Sequence, residues 1–387
     1  MPPWASSRWQ DCAVLYATQA PVDLAALRRN LLAVRSLAGE RQVLLAVKGN
    51  AYGHGAVDVA LMVQRSGCAD RLAVATVPEA SELREAGVTL PILKLSHCFA
   101  EELPQAVRME LSLTVVDETT IRQAQAAAEA AGVTTPVHLK VDTGMRRIGA
   151  EPEEAAELVR LVDDSPNLHL EGIFTHPPVS DMADCHDWTV AELQGFRELV
   201  AGIEAERGPI ELVHGAPSGV ILGHDLTGMT LVRAGVMAYG YYPDASTPRT
   251  VPLEPVMSLV SRVSFIKRVD AGETVGYGRT WAPSRPSWIA TVPVGYADGF
   301  SRANSNAGTM LIGGKAYPVA GRVCMDQTMV DLGPDDPTVQ VGDEVVLMGA
   351  QGDERITADD LARIMGTISY EVTCLITPRV PRVYYDS

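Results

Sequence analysis

This sequence lacks the features that mark several broad classes of protein. It has no apolar run of about 18 residues, the length that a membrane-spanning helix needs. Its first twenty residues carry Arg8 and Asp11 but no sustained apolar stretch, so we expect no signal peptide. The six cysteines form neither a CxxC pair nor a metal-ligand spacing. We therefore expect reduced thiols, a cytoplasmic protein and no metal site.

Positive charge is also scarce. The chain has 32 Lys and Arg residues against 48 Asp and Glu residues, which gives a net charge of -16. Nucleic acids and anionic membrane surfaces are bound by basic patches, so we expect neither as a partner. An anionic small molecule responds to local rather than to net charge, and this composition does not exclude one as a ligand.

The first two thirds of the 387 residues alternate short apolar runs with amphipathic segments. The runs predict eight strands, at 43–47, 72–76, 92–95, 113–116, 137–141, 170–174, 211–213 and 231–233. Helices are predicted between them, among them 77–86, 119–131, 152–162 and 190–207. Eight strand–helix units in roughly 200 residues indicate a (β/α)8 TIM-like barrel. The rival, a doubly wound sheet, usually has fewer strands and less regular spacing.

The last third has a different sequence pattern, with proline-rich turns followed by short segments in which apolar and polar residues alternate. Strands are predicted at 256–269, 287–294, 309–312, 317–323, 328–332 and 344–348, and one helix at 357–365. The expected fold class is therefore α/β plus β. The predicted domains are a barrel over 14–245 and a C-terminal, mostly antiparallel β domain over 246–387, with residues 1–13 as a candidate addition to the β domain.

Polar side chains follow the predicted barrel strands, namely Lys48, Asp142, His176, His214 and Ser218. The carboxyl ends of barrel strands share one rim, which is where the active sites of such barrels lie. We therefore expect these side chains to converge.

Lys48 ends an apolar run and is followed by Tyr52, Gly53 and Gly55. Burial at the exit of such a run lowers the pKa of an amine and makes it a usable nucleophile of the Schiff-base kind. The glycines let the backbone approach a ligand and start a helix, whose N-terminus could take a phosphate. The alternative is a lysine that extends to solvent from a buried strand above a glycine-rich turn.

This lysine segment resembles the cofactor-lysine motif of the alanine racemase family, and the similarity extends from residue 20 to residue 382. It is also carried by the segments 140–149, 172–176, 232–236, 275–278, 293–299, 321–327 and 370–372, whose order and spacing match the family. The resemblance implies an isomerase that uses pyridoxal 5'-phosphate to interconvert L- and D-alanine.

The resemblance implies a role for each cofactor-binding residue. Lys48 would hold the cofactor, and the phosphate would be bound by Tyr52, Ser218 and the backbone amides of Gly235 and Val236.

Arg233, supported by His176, would face the pyridine nitrogen. Many pyridoxal enzymes place a carboxylate there, which keeps that nitrogen protonated. An arginine only donates hydrogen bonds and leaves the nitrogen unprotonated, so side reactions such as transamination are suppressed. An isolated strand arginine would otherwise be interpreted as a structural ion-pair partner.

The resemblance also implies two catalytic bases, with Lys48 acting on the D face and Tyr277 of the partner subunit on the L face. Tyr296, Met325 and Asp326 would line the substrate route across the same interface. The expected assembly is a homodimer with shared active sites. Without the resemblance, Tyr277 would be interpreted as interface or edge packing.

Arg147 would contact the substrate carboxylate and the phenolic oxygen of the cofactor, a task that suits its flat guanidinium. Lys140 matches a family lysine that is often carbamylated to N6-carboxylysine. A carbamate would orient Arg147. A plain Lys140–Asp142 ion pair is the alternative.

The sequence departs from the common family pattern around the cofactor and substrate, at Gly49, Pro177–Pro178, Pro217 and Pro378. These changes leave the substrate open. The alternatives are a racemase of serine or of a basic amino acid, and a barrel-type pyridoxal-phosphate decarboxylase. Such a decarboxylase presents a carboxylate to the pyridine nitrogen, so Arg233 argues against it. A non-enzymatic pyridoxal-phosphate protein would be a single barrel without the β domain.

Overall fold

A computed structural model describes residues 16–335 and 338–386. The expectation about residues 1–13 lies outside them. The described chain forms two compact units. The barrel unit contains Leu27–Ala51 and Ala56–Glu254, and the β unit contains the described residues up to Ala26, Tyr52–Gly55 and the chain from Pro255 onward.

The strands, in chain order, are β1 (Ala20–Asp23), β2 (Gln42–Ala46), β3 (Arg71–Val74), β4 (Ile92–Lys94), β5 (Leu111–Val115), β6 (Thr135–Lys140), β7 (Leu168–Phe174), β8 (Leu212–His214), β9 (Leu231–Ala234), β10 (Leu259–Arg262), β11 (Phe265–Val269), β12 (Ser287–Val292), β13 (Thr309–Ile312), β14 (Lys315–Pro318), β15 (Thr328–Gly333), β16 (Glu344–Gln351), β17 (Glu354–Ile356) and β18 (Arg382–Tyr385). The helical segments are α1 (Leu24–Ala38), α2 (Lys48–Tyr52), α3 (Ala56–Ser66), α4 (Val77–Glu85), α5 (Leu103–Arg108), α6 (Glu118–Ala131), α7 (Ala155–Asp163), α8 (His186–Arg207), α9 (Ser218–Gly223), α10 (Ala358–Met365) and α11 (Ser369–Cys374).

The barrel unit is an eight-stranded parallel sheet in the order β8-β7-β6-β5-β4-β3-β2-β9. A parallel bridge between Ala216 and Val232 brings the segment after β8 against β9 and nearly closes the cylinder. The predicted (β/α)8 barrel is confirmed, and each of the eight predicted strands overlaps an observed one.

Local signals in the sequence start the barrel helices. Thr76 caps α4 by accepting a hydrogen bond from the Glu79 amide, and the Glu79 carboxylate accepts one from the Thr76 amide in return. Asp117 and Thr120 cap α6 in the same reciprocal way, and Gly132 ends α6 in the left-handed conformation. These caps satisfy amides that the first turn of a helix leaves unpaired.

The barrel interior has an apolar layer in which Leu44, Ala73, Leu93, Leu212 and Leu231 pack together. Side chains two residues apart on a strand point to the same face, so Arg233 shares the inward face of Leu231. Arg233 is also the register partner of Leu44. The inward face therefore changes from apolar to charged toward the carboxyl ends of the strands.

The β unit is mostly antiparallel, as predicted. One sheet has the order β10-β16-β13-β14, with β17 paired to β16, and another has the order β11-β12-β15. The predicted strand 256–269 is wrong as a single strand, because its two halves join different sheets. The Val263 amide donates to Asp343 and the Ser264 amide to Thr291, so the chain changes sheets at this point.

Two further differences concern strand ends and pairing. The predicted strand 317–323 stops at Pro318, because the chain then changes partner: the Val319 amide donates to the Gly308 carbonyl and the Ala320 amide to the Met329 carbonyl. β1 was not predicted and lies inside the predicted barrel range 14–245. It pairs in parallel with β18 and belongs to the β unit.

No helix among the described residues is long and apolar enough to cross a membrane. The five described cysteines, Cys68, Cys98, Cys185, Cys324 and Cys374, are all free thiols.

Candidate active site

Positive side chains of the barrel unit converge on His176, which follows β7. Burial, followed by the charges of Arg233, Lys140, Arg147 and Lys48, holds the pKa of His176 well below its usual range. These cations lie at the carboxyl ends of β2, β6 and β9 or in the loop after β6, so the barrel topology brings them together. A chain of net charge -16 thus builds a local site for an anion.

The backbone after Lys48 forms an unusual left-handed turn. Gly49, Asn50 and Ala51 have φ values of 62°, 54° and 53°, and Tyr52 follows at 54°. Three of the four are not glycine, and each such residue costs about 1–2 kcal/mol relative to the right-handed conformation. Strain of this kind persists only where the surroundings hold it, which is common at functional sites.

Hydrogen bonds hold this turn in place. The Gly49 amide donates to Glu79 Oε1 at 2.7 Å, and the Ala51 amide donates to the Val47 carbonyl at 2.7 Å. The Asn50 side chain accepts a hydrogen bond from the Ala56 amide at 2.8 Å. The half-buried Lys48 is therefore presented from a defined backbone rather than from a loose loop.

Arg233 is 6% exposed and uses both terminal nitrogens of its guanidinium. Nη1 donates to Nδ1 and to the carbonyl oxygen of His214, at 2.8 and 2.9 Å. Nη2 donates to the Thr175 carbonyl at 2.7 Å and to Nδ1 of His176 at 3.3 Å. Within the described parts of the chain, the Nε–H has no acceptor.

The Arg233 guanidinium also lies over the Phe174 ring, 5.4 Å from its centre. Burial, followed by the charge of Arg147, lowers the pKa of Arg233 to about 9, so the group remains a cation at neutral pH. It is a fixed cation with one N–H donor left over.

Lys140 lies beside this group with its Nζ buried and without a hydrogen-bond partner among the described residues. Burial, followed by the charges of Arg233 and Arg147, lowers the pKa of Lys140 to about 8. The alternative of a direct Lys140–Asp142 ion pair is not observed. The Asp142 carboxylate instead accepts the amide hydrogens of Gly144, Arg146 and Arg147, at 2.9, 3.0 and 3.1 Å.

Arg147 is exposed, and its guanidinium pairs with no carboxylate of residues 16–335 or 338–386. It nevertheless lies close enough to Lys140 and Arg233 for its charge to lower the pKa of both. A cation in this position can receive an anionic ligand.

Ser218 begins α9, and its Oγ accepts hydrogen bonds from the amides of Gly235 and Met237 at 3.1 and 3.4 Å. The Gly235 amide is therefore already in use. The Val236 amide has no acceptor in the described chain, which leaves it and the Ser218 hydroxyl hydrogen as donors at this position.

Tyr52 belongs to the β unit, where its ring packs edge-on against Tyr370 at 6.1 Å. Burial, and then the nearby Cys374, raise the pKa of Tyr52 to about 12, so the phenol keeps its proton. The next residue, Gly53, lies against the backbone of Thr373 with no room for a Cβ atom.

The other predicted residues of the β unit are exposed. Tyr277 is 71% exposed, Met325 is 52% exposed and Tyr296 is 43% exposed. Their segments are neighbours: the Tyr296 amide donates to the Cys324 carbonyl at 3.1 Å, and Gly278 packs against the Arg322 side chain. Asp326 forms an ion pair of 2.6 Å with Arg379.

Sequence reasoning missed several polar residues of the barrel unit. Glu79 supports the turn after Lys48, and Glu192 accepts a hydrogen bond from Thr143. His138 and Glu171 form a buried pair in β6 and β7. A glutamate within the otherwise apolar run 170–174 was the signal that could have identified Glu171.

Comparison with known proteins agrees with this architecture. The family model for the alanine racemase N-terminal domain matches residues 22–243, and that for the alanine racemase C-terminal domain matches residues 256–384. The chain is 52% identical over 367 residues to the alanine racemase of Cutibacterium acnes, which covers 95% of this chain and 97% of that protein.

Solved structures give the same result. Alanine racemase from Clostridium difficile superposes with a TM-score of 0.90 at 35% identity, covering 96% of this chain and 97% of that one. The enzyme from D-cycloserine-producing Streptomyces lavendulae gives a TM-score of 0.89 at 36% identity, with 96% and 98% covered. Because both domain families match in order along its length, the chain belongs to the alanine racemase family of amino acid isomerases.

Proposed function

We propose that this chain interconverts L- and D-alanine with pyridoxal 5'-phosphate, as a homodimer that shares its active sites. The observation that carries the proposal is the cationic cluster around His176, which includes the buried Arg233 and has Lys48 on a constrained turn. Its relatives are named alanine racemases, which agrees with this chemistry.

The donors of the barrel unit fit this cofactor. The Nε–H of Arg233, which has no acceptor among the described residues, is a donor to the lone pair of an unprotonated pyridine nitrogen. The Ser218 hydroxyl and the Val236 amide would donate to phosphate oxygens, and Gly235 is assigned to the same cradle through its amide, which donates to Ser218 Oγ. Tyr52, a neutral phenol, is proposed as a further phosphate donor. Lys48 would hold the cofactor covalently.

The bound cofactor supplies electron withdrawal that acidifies the α-hydrogen of the amino acid. The other work falls to side chains of the protein. The Arg147 guanidinium would bind the substrate carboxylate, because this cation at the edge of the cluster has no ion-pair partner in the described part of the chain. This contact would orient the α-hydrogen toward one base or the other.

Inversion needs a base on each face of the α-carbon. We assign the D face to the Lys48 amine and the L face to the Tyr277 hydroxyl of the partner subunit. The high exposure of Tyr277 supports a role outside its own fold, since a large aromatic side chain on a protein surface is typical of interfaces. Tyr296, Met325 and Asp326 would line the substrate route at this interface.

Arg233 also discriminates between reaction types. A carboxylate at the pyridine nitrogen would make the ring a stronger electron sink and would favour other outcomes, including decarboxylation chemistry. A buried guanidinium, held by His214 and Thr175, only donates hydrogen bonds and cannot keep the pyridine nitrogen protonated. This supports racemisation over the decarboxylase alternative.

Lys140 is proposed to be carbamylated. Its buried amine has no hydrogen-bond partner among the residues that the structure describes. With a pKa near 8 it is neutral more often than an ordinary lysine, and the neutral amine is the form that adds carbon dioxide. The product carries a negative charge between the cations Arg147 and Arg233, where it is stabilised.

The function is tested by incubating the purified protein with a panel of L-amino acids and measuring D-products by chiral chromatography. The proposal requires D-alanine as the main product, and none from a Lys48→Arg variant, which keeps the charge but cannot hold the cofactor. D-serine or a basic D-amino acid as the main product would support the alternative racemases. Release of carbon dioxide and amine would support a decarboxylase.

A further inference from the structure

A continuous chain of buried hydrogen bonds runs from Arg233 into the barrel interior. Nη1 of Arg233 lies 2.8 Å from Nδ1 of His214, and Nε2 of His214 lies 2.9 Å from Nδ1 of His138. Nε2 of His138 lies 2.8 Å from Oε2 of Glu171, whose other oxygen is 2.7 Å from Nη1 of Arg71. Both imidazoles are fully buried.

The donors and acceptors along this chain allow one arrangement of protons. Arginine only donates, so Nδ1 of His214 must accept, and the proton of a neutral His214 is on Nε2. That proton is donated to Nδ1 of His138, so the proton of His138 is on its Nε2 and is donated to Glu171. A second proton on either ring would place two donors face to face.

The electrostatics agree with two neutral rings ending at a carboxylate. Burial is the main cause that lowers the pKa of both His138 and His214, and it outweighs the Glu171 carboxylate, which raises the pKa of His138. Arg71 and Arg233 lower the pKa of both rings. Lys140 also lowers the pKa of His214. Burial alone would raise the pKa of Glu171, but hydrogen bonds from His138 and Ser112 and the charge of Arg71 act against it and hold that pKa below its usual range.

Gly172 makes room for this chain. It is the register partner of His138 across β6 and β7. A Cβ atom on Gly172 would lie 2.7 Å from Cε1 of His138 and 2.8 Å from the Leu212 carbonyl oxygen, and closer still to Nδ1 of His138. Nδ1 is the atom that accepts from His214, so any side chain at this position would push the two imidazoles apart.

We propose that Glu171 is a positioning residue for Arg233, acting through His138 and His214. The carboxylate fixes the tautomer of both rings, so that the Nδ1 lone pair of His214 faces the guanidinium. Carboxylates fix the tautomer of catalytic and metal-binding histidines in the same way. The guanidinium is thereby held with its Nε–H directed away from His214. The tautomers and the position of the guanidinium do not depend on the proposed function. Only the expected effect on cofactor binding rests on it.

The first measurement needs no variant. Protein labelled with ¹⁵N-histidine is purified with whatever cofactor it retains, and long-range ¹H–¹⁵N correlation spectra report the protonation of each ring nitrogen. The proposal requires His138 and His214 to be neutral, with the proton on Nε2, on both sides of neutral pH. A proton on Nδ1 of His214, or an imidazolium at either position, would overturn it.

Two variants break the chain at different points. Glu171→Gln removes the charge with little change of shape, and His138→Leu leaves the Glu171–Arg71 pair in place. The matched control is Ser112→Ala, which removes a 2.6 Å hydrogen bond to the same Glu171 oxygen outside the chain. We expect both variants, but not the control, to give a mixture of His214 tautomers, to lose cofactor faster on dialysis and to shift its visible absorption.

The kinetic signature separates positioning from simple structural support. Arg233 faces the cofactor rather than the substrate, so kcat should fall by about 10- to 100-fold, the range for residues that orient ligand-holding histidines, while KM changes little. Unaltered His214 tautomers and unaltered cofactor loss in a folded Glu171→Gln protein would refute the proposal. If the protein proves not to racemise alanine, the tautomers and cofactor loss still test it, so the two failures are distinguishable.

Discussion

The Glu79 carboxylate lies 2.7 Å from the Gly49 amide, one residue beyond Lys48. Its other oxygen accepts the amides of Ala75 and Thr76, at 2.8 and 3.0 Å, so one side chain both caps α4 and holds the turn that presents the lysine. Helix capping and the position of the proposed catalytic amine are thereby coupled.

Glu79→Ala should therefore reduce activity by more than any loss of folding stability would explain. The variant loses the acceptor that holds a left-handed turn costing about 1–2 kcal/mol per residue other than glycine, so the turn should relax and displace Lys48. We expect a lower kcat and slower covalent fixation of the cofactor by borohydride. The control is Glu82→Ala, an exposed residue of the same helix. Equal activity in the two variants would contradict the coupling.

The assignment of Lys48 is tested by chemical mapping. The purified protein should be coloured by its bound cofactor and lose that colour with hydroxylamine. Borohydride treatment should then attach the cofactor permanently to a single peptide, the one that contains Lys48. Attachment to Lys140 or to another lysine would remove the basis of the site assignment. A Lys48→Ala protein should take up no stable label.

The fold was more predictable from the sequence than the interior of the site. The eight barrel strands are local apolar runs, and they were predicted because burial on both faces leaves a pattern in a few consecutive residues. The pairing of β1 with β18 joins residues more than 350 positions apart, and no local pattern indicates it. The change of sheet between Val263 and Ser264 is likewise decided by partner strands.

The hydrogen-bonded chain behind Arg233 could not be predicted for a related reason. Whether His138 meets Glu171 depends on the register of β6 against β7, which shifts by a bulge between Val137 and His138. A one-residue change of register would turn these side chains to opposite faces. Lys48 and Arg233, in contrast, could be predicted as site residues because each falls at a strand end within a recognisable motif.

Carbamylation of Lys140 should increase as the pH rises. Carbon dioxide adds to the neutral amine with loss of a proton, and the neutral fraction grows as pH rises through about 8 rather than through the ordinary 10.5. In ¹³C-bicarbonate, the protein should give a carbamate resonance that strengthens over this range. The signal should be absent from Lys140→Met. A spectrum that is identical for both proteins would show that the lysine is unmodified.

The proposal that two subunits share each active site predicts complementation between inactive chains. A mixed dimer of Lys48→Ala and Tyr277→Phe chains has one site with both bases intact and one with neither. After random exchange of subunits, about a quarter of the normal activity should return, since half of the dimers are mixed and each has one intact site. Exchange is verified by native mass spectrometry. If no activity appears in verified mixed dimers, each site is built within one chain.

The sharpest test separates the two bases by face. In Tyr277→Phe, removal of the α-hydrogen from L-alanine should fail, whereas removal from D-alanine by Lys48 should persist. Net racemisation must fall in both directions, because the equilibrium constant fixes the ratio of the two rates. Exchange of the α-hydrogen with solvent is not constrained in this way and can differ between the two enantiomers. In deuterated water, the variant should still exchange the α-hydrogen of D-alanine and exchange that of L-alanine far more slowly. A general acid or base contributes about 100- to 10,000-fold, so the asymmetry should be large. Equal loss of exchange from both enantiomers would make Tyr277 a packing residue rather than a base.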